Sequence, residues 1–224
     1  MDPIFYTSEL EYASKDIAPF LQWYSGRHSA DLFRAGFYTT TCYRAVTGGL
    51  TIVDMYQADT WDVFTGDGYK VRDKDPYAKE RLAPRTGNVN TVYTYRSLQG
   101  AGDPSRKIDA DWVALVRFES DDAPDDALID WLQAQEVGRL MALGAASVRL
   151  VRRTKDRPNT SSYRPAWAIL TEWGGRPPQT ADLTGPLADH LDHPLADGDA
   201  FVGFRLFPWP DDVALLRDPP AGVL

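Results

Sequence analysis

Ile4–Tyr12 alternates in strand fashion, with Ile4, Tyr6, Ser8 and Leu10 on one face and Phe5, Thr7, Glu9 and Glu11 on the other. From Lys15 the apolar spacing lengthens to that of a helix: Ile17, Phe20, Leu21, Tyr24, His28 and Leu32 form one stripe, and Ser14 or Asp16 is the expected N-cap. His28 therefore falls on the buried stripe rather than the wet face. Gly26 is placed to kink this helix, since a mid-helix glycine costs ~1 kcal/mol relative to alanine. Gly36 is placed to end it in a left-handed conformation. Phe37–Val46 is rich in Thr and aromatics and reads as a second strand, turning at Gly48-Gly49 into a third, Leu50–Gln57. Across Ala58–Asp75 the cap signal Asp59-Thr60 is followed by Gly66 and Gly68, which predicts a short helix and a polar loop. Asn88–Leu98 is the fourth strand. The order is βαββαβ, the ferredoxin-like unit.

Gln99–Ala110 has the Gly, Asp, Pro and Ser content of a linker, and beyond it the order repeats. The second copy has strands at Asp111–Ser120, Ala145–Thr154, Arg164–Trp173 and Ala200–Pro208, a helix at Asp125–Leu143, a turn region at Lys155–Tyr163 and a helical piece near Thr180–Leu191. The helices align residue by residue: Trp23 falls on Trp131, His28 on Glu136, Leu32 on Leu140 and Gly36 on Gly144. The last strands align Arg96 with Arg205. Such a match, element by element, is the signature of an internal repeat. One copy alone leaves a sheet face bare, and two sheets packed face to face bury it. The expected fold class is α+β, two tandem ferredoxin-like repeats forming a single-chain α+β barrel. Residues 1–98 form the first repeat, 99–110 the linker, 111–208 the second repeat and 209–224 a Pro-rich tail. A pocket is expected between the two unequal halves.

Composition narrows the partners. Acidic residues outnumber Lys plus Arg by 32 to 24, and the net charge of -8 repels phosphate backbones and anionic membranes, so neither nucleic acid nor membrane is expected as a partner. The single cysteine, Cys42, excludes an internal disulfide framework and suits a reducing compartment; it reads as a small strand residue rather than a nucleophile. With no N-terminal apolar segment and no long apolar run, the expected location is cytoplasmic. The 7 Trp, 11 Tyr and 9 Phe provide rings that line pockets for flat organic ligands as readily as they build a core.

His28, the ionisable residue that the repeat does not duplicate as histidine, is the leading catalytic candidate, as general acid or base. Its structural alternative is a bond to a backbone carbonyl. Asp54 interrupts the apolar strand LTIVDMY and is either the orienting partner of a base or a sheet-edge residue at a bulge. Tyr43 completes the catalytic set. Tyr6, Trp23, Tyr56, Tyr93 and Tyr95 are candidates to stack on or donate to a substrate, with a plain aromatic core as their alternative. Arg96, with Arg205, would hold a carboxylate or else form ion pairs with Glu9, Glu119 or Glu172. His190 and His193, with Asp189 and Asp192, form a loop cluster with no obvious remote third ligand, and no metal is expected. A P-loop, a GxGxxG after a strand, a GxSxG elbow and a CxxC pair are all missing, which disfavours nucleotide, Rossmann and serine-hydrolase chemistry.

An aromatic pair, a later histidine, a leucine, a glycine and then a strand, in Phe20–Tyr43, resembles the dimeric α/β-barrel superfamily, particularly its EthD-like and small monooxygenase or cyclase branches. Ile4 to Pro208 fits as two fused copies. The resemblance implies that His28 stands at the pocket, and Glu136 departs from that pattern in the second half. The superfamily includes monooxygenases, isomerases, cyclases, dehydratases, decarboxylases and haem enzymes, so the likeness bears on fold more than on reaction. The expected function is a cofactor-independent lyase or isomerase that decarboxylates, dehydrates or cyclises a small aromatic or polyketide-like substrate by proton transfer. The rivals are a cofactor-free monooxygenase of a phenolic substrate and a non-catalytic small-molecule binding protein. No cofactor is expected, and a homodimer is compatible with the exposed strands and tail.

Overall fold

The computed structural model describes residues 3–72, 75–100, 107–120, 125–154, 164–191, 195 and 199–208. The first half runs β1 (Ile4–Glu11), α1 (Ser14–Trp23), a π-helical segment (Tyr24–His28), α2 (Ser29–Ala35), β2 (Thr39–Thr47), β3 (Ile52–Ala58), a 3-10 turn (Trp61–Phe64), α3 (Asp67–Arg72), α4 (Ala78–Leu82) and β4 (Gly87–Gly100). The second runs β5 (Trp112–Phe118), α5 (Asp125–Trp131), a π-helical segment (Leu132–Glu136), α6 (Val137–Ala142), β6 (Ala145–Arg153), β7 (Trp167–Trp173), α7 (Thr180–Ala188) and β8 (Ala200–Phe207).

All strand pairs are antiparallel, and they close into a barrel in the order β1-β3-β2-β8-β5-β7-β6-β4. Around that ring β4-β1-β3-β2 and β8-β5-β7-β6 are the same permutation, so the repeat in the sequence is a repeat in topology, with seams at β2–β8 and β4–β6. Strand alternation sends one set of side chains inward and the other outward. The inward set, including Phe5, Tyr43, Met55, Tyr93, Leu115, Leu170 and Phe201, packs into one core between the sheets. The outward sets pack against the helices of each half as two further cores. β3 and β7 are consequently buried along their whole length.

The duplicated helix carries matched irregularities. Gly36 and Gly144 both end it with a left-handed backbone, φ 107° and 106°. The wide π turn also recurs, at Tyr24–His28 and Leu132–Glu136. Gly26 is thus not its cause, since Ala134 occupies the same place in the second copy. The helix starts at Ser14, one residue before the predicted start, with Ala13 at the N-cap position and no side-chain cap. The Thr60 cap does form and accepts from the Asp62 amide. β7 begins at Trp167 rather than Arg164, whose guanidinium is drawn to Glu9 instead. β4 extends to Gly100, into the predicted linker. Lys155–Tyr163 and the tail Trp209–Leu224 lie outside the described residues. No helix among the described residues is long and apolar enough to cross a membrane.

Gly48 fixes the β2–β3 turn. Its φ is 62°, and a Cβ there would lie 1.8 Å from the Ala200 carbonyl oxygen. Gly48→Ala is expected to lower stability by about 1–3 kcal/mol, read in urea unfolding, because strain and a backbone clash coincide.

Candidate active site

Asp54 is the chemical anomaly of β3. Register places it opposite Cys42 of β2 and Ser8 of β1, on the outward face beneath α1, the π segment and α2. It is 2% exposed, and its Oδ1 makes no hydrogen bond of ordinary geometry. Burial pushes its pKa from 3.8 up to about 7, opposed by hydrogen bonding from Cys42 and Tyr56. The π turn delivers Tyr24 to the same place. That ring is wholly buried, and its hydroxyl, like that of Ser29, also lacks a bond of ordinary geometry. Burial first, and the Asp54 charge second, hold the Tyr24 and Tyr56 phenols well above their usual range, so both are proton donors at any physiological pH. Burial likewise raises the Cys42 thiol, which is therefore not a nucleophile at neutral pH. Phe20, Phe37, Phe64 and Phe207 complete an aromatic enclosure.

His28 ends the π segment at the edge of this cluster. It is half-buried, stacked on Trp23 with centroids 4.5 Å apart and planes at 25°, and 5.6 Å from the Tyr24 ring. Trp23 is held in turn: its Nε1 donates to Asp75 Oδ2 at 2.8 Å, and Arg27 Nε lies 3.5 Å from Asp75 Oδ1. Burial works to raise the Asp75 pKa, but Trp23, the Tyr77 amide and Arg27 outweigh it and hold the carboxylate below its usual range. Arg27 also lies over the Tyr77 ring, 4.9 Å from its centroid. The result is a clasp of Trp23, Arg27, Asp75 and Tyr77 beside the histidine.

The structure divides the sequence-predicted residues between two faces of one sheet. His28, Trp23, Asp54, Tyr6 and Tyr56 share the helix-covered side; Tyr6 stacks on Tyr56 at 5.2 Å and donates to Asn90 at 2.6 Å. Tyr43, Tyr93 and Tyr95 point into the barrel. Tyr43 donates to the Ala110 carbonyl at 3.0 Å, Tyr93 stacks on Phe5, and Tyr95 accepts from Gln57 at 2.9 Å. The space between the sheets, where the pocket was expected, is occupied by these side chains together with Phe201, Arg117, Arg149 and Ile108. Arg96 is exposed beside a bulge in β4, while Arg205 bonds Asp111 at 2.5 Å and the Asp109 carbonyl at 2.6 Å. Glu9 and Glu172 do form buried ion pairs, with Arg117 and Arg164 and with Arg149. Tyr24 and Ser29 complete the Asp54 cluster but were not singled out from the sequence. The available signal was Tyr24 sitting one helical turn before His28 on the buried stripe.

The second half lacks the cluster. Counted from the helix-ending glycines, Leu132 and Leu150 stand where the first half has Tyr24 and Cys42, and Ile169 pairs with Leu150 as Asp54 pairs with Cys42; all three lie in an apolar core. Glu136, in the place of His28, is buried and bonded to Arg139, which also donates to the Asp182 carbonyl at 2.7 Å. Trp131 does lie against a histidine, with ring centroids 4.5 Å apart and planes tilted at 45°, but this is His190, from beyond α7. His193 and Asp192 lie outside the described residues, and among the described residues no group of His, Cys, Asp or Glu is arranged to hold a metal.

Fold and site together define an α+β barrel of ferredoxin-like halves with a polar, aromatic-walled cluster in one half. No protein-family model matches the chain, and no curated protein matches it. Solved structures do. An anthrone oxidase-like protein aligns over 91% of this chain and 90% of its own, with a TM-score of 0.58 and 10% identity. A candidate monooxygenase from Fusobacterium nucleatum aligns over 92% and 93%, TM-score 0.56 and 9% identity. A chlorite dismutase variant from Candidatus Nitrospira defluvii aligns over 96% and 93%, TM-score 0.54 and 9% identity. These likenesses establish the ferredoxin-like α+β barrel fold.

Proposed function

We propose that the chain is an enzyme acting on a small aromatic or polyketide-like molecule, with its active site at the Asp54 cluster of the first repeat, residues 1–98. The observation that carries this reading is Asp54 itself: a buried carboxyl that titrates near neutrality, with one oxygen bare, between two phenols, at a place where the second half has only Leu and Ile. A carboxyl tuned in this way accepts a proton at pH 7 and returns it, and such groups contribute typically 10²–10⁴-fold to rate. Among the described residues no cation acts on Asp54, and Arg96 is exposed elsewhere, which favours a neutral substrate over a carboxylate. Decarboxylation is therefore the least supported of the lyase outcomes.

The preferred chemistry is cofactor-free monooxygenation, in keeping with the small monooxygenase branch and with the anthrone oxidase-like and candidate monooxygenase neighbours. Asp54 takes a proton from an acidic CH of an electron-rich ring system, and the substrate anion reduces O2 and combines with it as a carbon hydroperoxide. Loss of water leaves a carbonyl, so CH2 plus O2 becomes C=O plus H2O. Tyr24 and Tyr56 donate hydrogen bonds to the substrate oxygen, and His28 carries the proton between the cluster and solvent. A second reading draws on the same donor–acceptor pairing: Asp54 with a tyrosine also suits cyclisation or isomerisation, in which the proton returns to another atom and O2 is not consumed. Because Asp54 and Tyr24 are closed off from solvent, substrate enters by parting the π turn from the sheet.

The test is oxygen uptake with an anthrone-class substrate, in air and under argon. Stoichiometric uptake that stops under argon supports monooxygenation, and product formation that continues under argon supports the lyase or isomerase reading. Tight binding without conversion in either atmosphere sinks the enzyme and leaves a binding protein. His28→Ala is expected to stay folded and lose about 10–100-fold in kcat. Unchanged turnover would remove His28 from the mechanism.

A further inference from the structure

The seam between the two halves carries an open cleft of about 670 Å³, where the end of β2 meets β8 and the loop that leads into α7. None of the residues that line it belongs to the Asp54 cluster. Val46 and Thr47 come from the first half, while Val202 and residues 176–181 come from the second. The β2–β8 register breaks between Ala45 and Thr47, and such a break bends the strand. The Thr47 and Thr180 hydroxyls lie 3.3 Å apart and tie the start of α7 to the end of β2.

The lining divides by chemistry. Val46, Val202, Pro177 and Pro178 are apolar, and Val46 is 42% exposed, a hydrophobic side chain left facing solvent. The two prolines fix their own backbone, so this wall is formed before any ligand arrives. The polar lining is Arg176, Gln179, Thr47 and Thr180, which supplies one cation and no carboxylate. Asp182, the acid in the first turn of α7, is not among the lining residues. Arg176 is exposed, and among the described residues it makes no ion pair. In a chain of net charge -8, a guanidinium without a carboxylate at the edge of an apolar cleft is a receptor for an anion. The volume falls in the range of small-molecule pockets, roughly 300–1,000 Å³. A bare inorganic anion would leave the apolar wall wet, and a neutral hydrocarbon would leave Arg176 unmatched.

We propose that this cleft binds a small organic carboxylate with a flat apolar body, the carboxylate held by Arg176 and the body laid on Val46, Pro177, Pro178 and Val202. Bound there, the acid touches β2 of the first half and β8 and the α7 loop of the second, and so clamps the seam between them. The site takes an anion, whereas the Asp54 cluster favours a neutral molecule, and it does not rest on the reaction proposed for that cluster.

The test is calorimetric titration of the full chain with 2-naphthoate and with its neutral counterpart 2-naphthamide, together with a crystal soaked in 6-bromo-2-naphthoate. The proposal expects saturable naphthoate binding about 10-fold tighter than that of naphthamide, and an anomalous bromine peak beside the apolar wall of the cleft. Arg176→Gln is expected to bring naphthoate down to the level of naphthamide. Ala181→Glu sets a carboxylate in the cleft at a first-turn position where glutamate suits the helix, and is expected to abolish naphthoate binding with Tm unchanged. Naphthoate that binds no better than naphthamide, binding undiminished in both variants, or bromine found only elsewhere, the Asp54 cluster included, would each overturn it.

Discussion

Asp54→Asn is expected to abolish most turnover, by 10²–10⁴-fold, and at the same time to make the protein more stable above pH 7. The two effects share one cause. In the folded chain burial raises the Asp54 pKa from 3.8 to about 7, so between those values the native state holds a proton that the unfolded state has released. Stability therefore falls as pH rises through this window, and above pH 7 the ionised carboxylate bears the full penalty of its apolar site. Three pK units correspond to about 4 kcal/mol as an upper figure, since each is worth about 1.4 kcal/mol. Asparagine keeps the shape and has no charge to bury. Its advantage should be near zero at pH 4, grow through pH 5–7 and level off above, reaching on the order of 10 °C in Tm at pH 8 for a chain of this size. Paired melting curves of the two proteins across pH 4–8 check this. A variant no more stable at pH 8 than at pH 4 would mean that Asp54 is ionised and solvated, and the base assignment would fall with it. A stability–activity trade of this kind is what a carboxylate kept for function, rather than for folding, should show.

Much of this architecture was legible in the sequence because the repeat is written in large residues. Trp23 and Trp131, Leu32 and Leu140, and Gly36 and Gly144 align without gaps, and the order βαββαβ followed from periodicity. The pairing of Asp54 with Tyr56 on one face, and of Tyr93 with Tyr95 on another, followed from strand alternation. Which face was inward did not. β3 is buried along all of its length, so its pattern carries no polarity to separate barrel interior from helix layer. That ambiguity put Tyr43 beside His28 in the expected site, whereas a sheet separates them. The π turn was also invisible, because an extra residue in a helical turn leaves no composition signal; its effect is to turn Tyr24 onto Asp54. Nor could strand arginines be paired from sequence: Glu9 and Glu172 were foreseen as partners, but of Arg96 and Arg205 rather than Arg117, Arg164 and Arg149.

Glu9→Gln is expected to be the most damaging single change in the barrel. It leaves the Arg117 guanidinium fully buried with no carboxylate, and breaking a buried pair from one side typically costs about 3–5 kcal/mol. Arg164 can relax outward, since its side chain is 17% exposed, but Arg117 at 0% cannot. The loss should therefore be carried mainly by Arg117. A double-mutant cycle tests that assignment: Glu9→Gln with Arg117→Met should recover much of the stability lost by Glu9→Gln alone, because a shape-filling apolar side chain no longer needs the missing charge. Additive losses in urea unfolding would show that the two residues do not act as a pair.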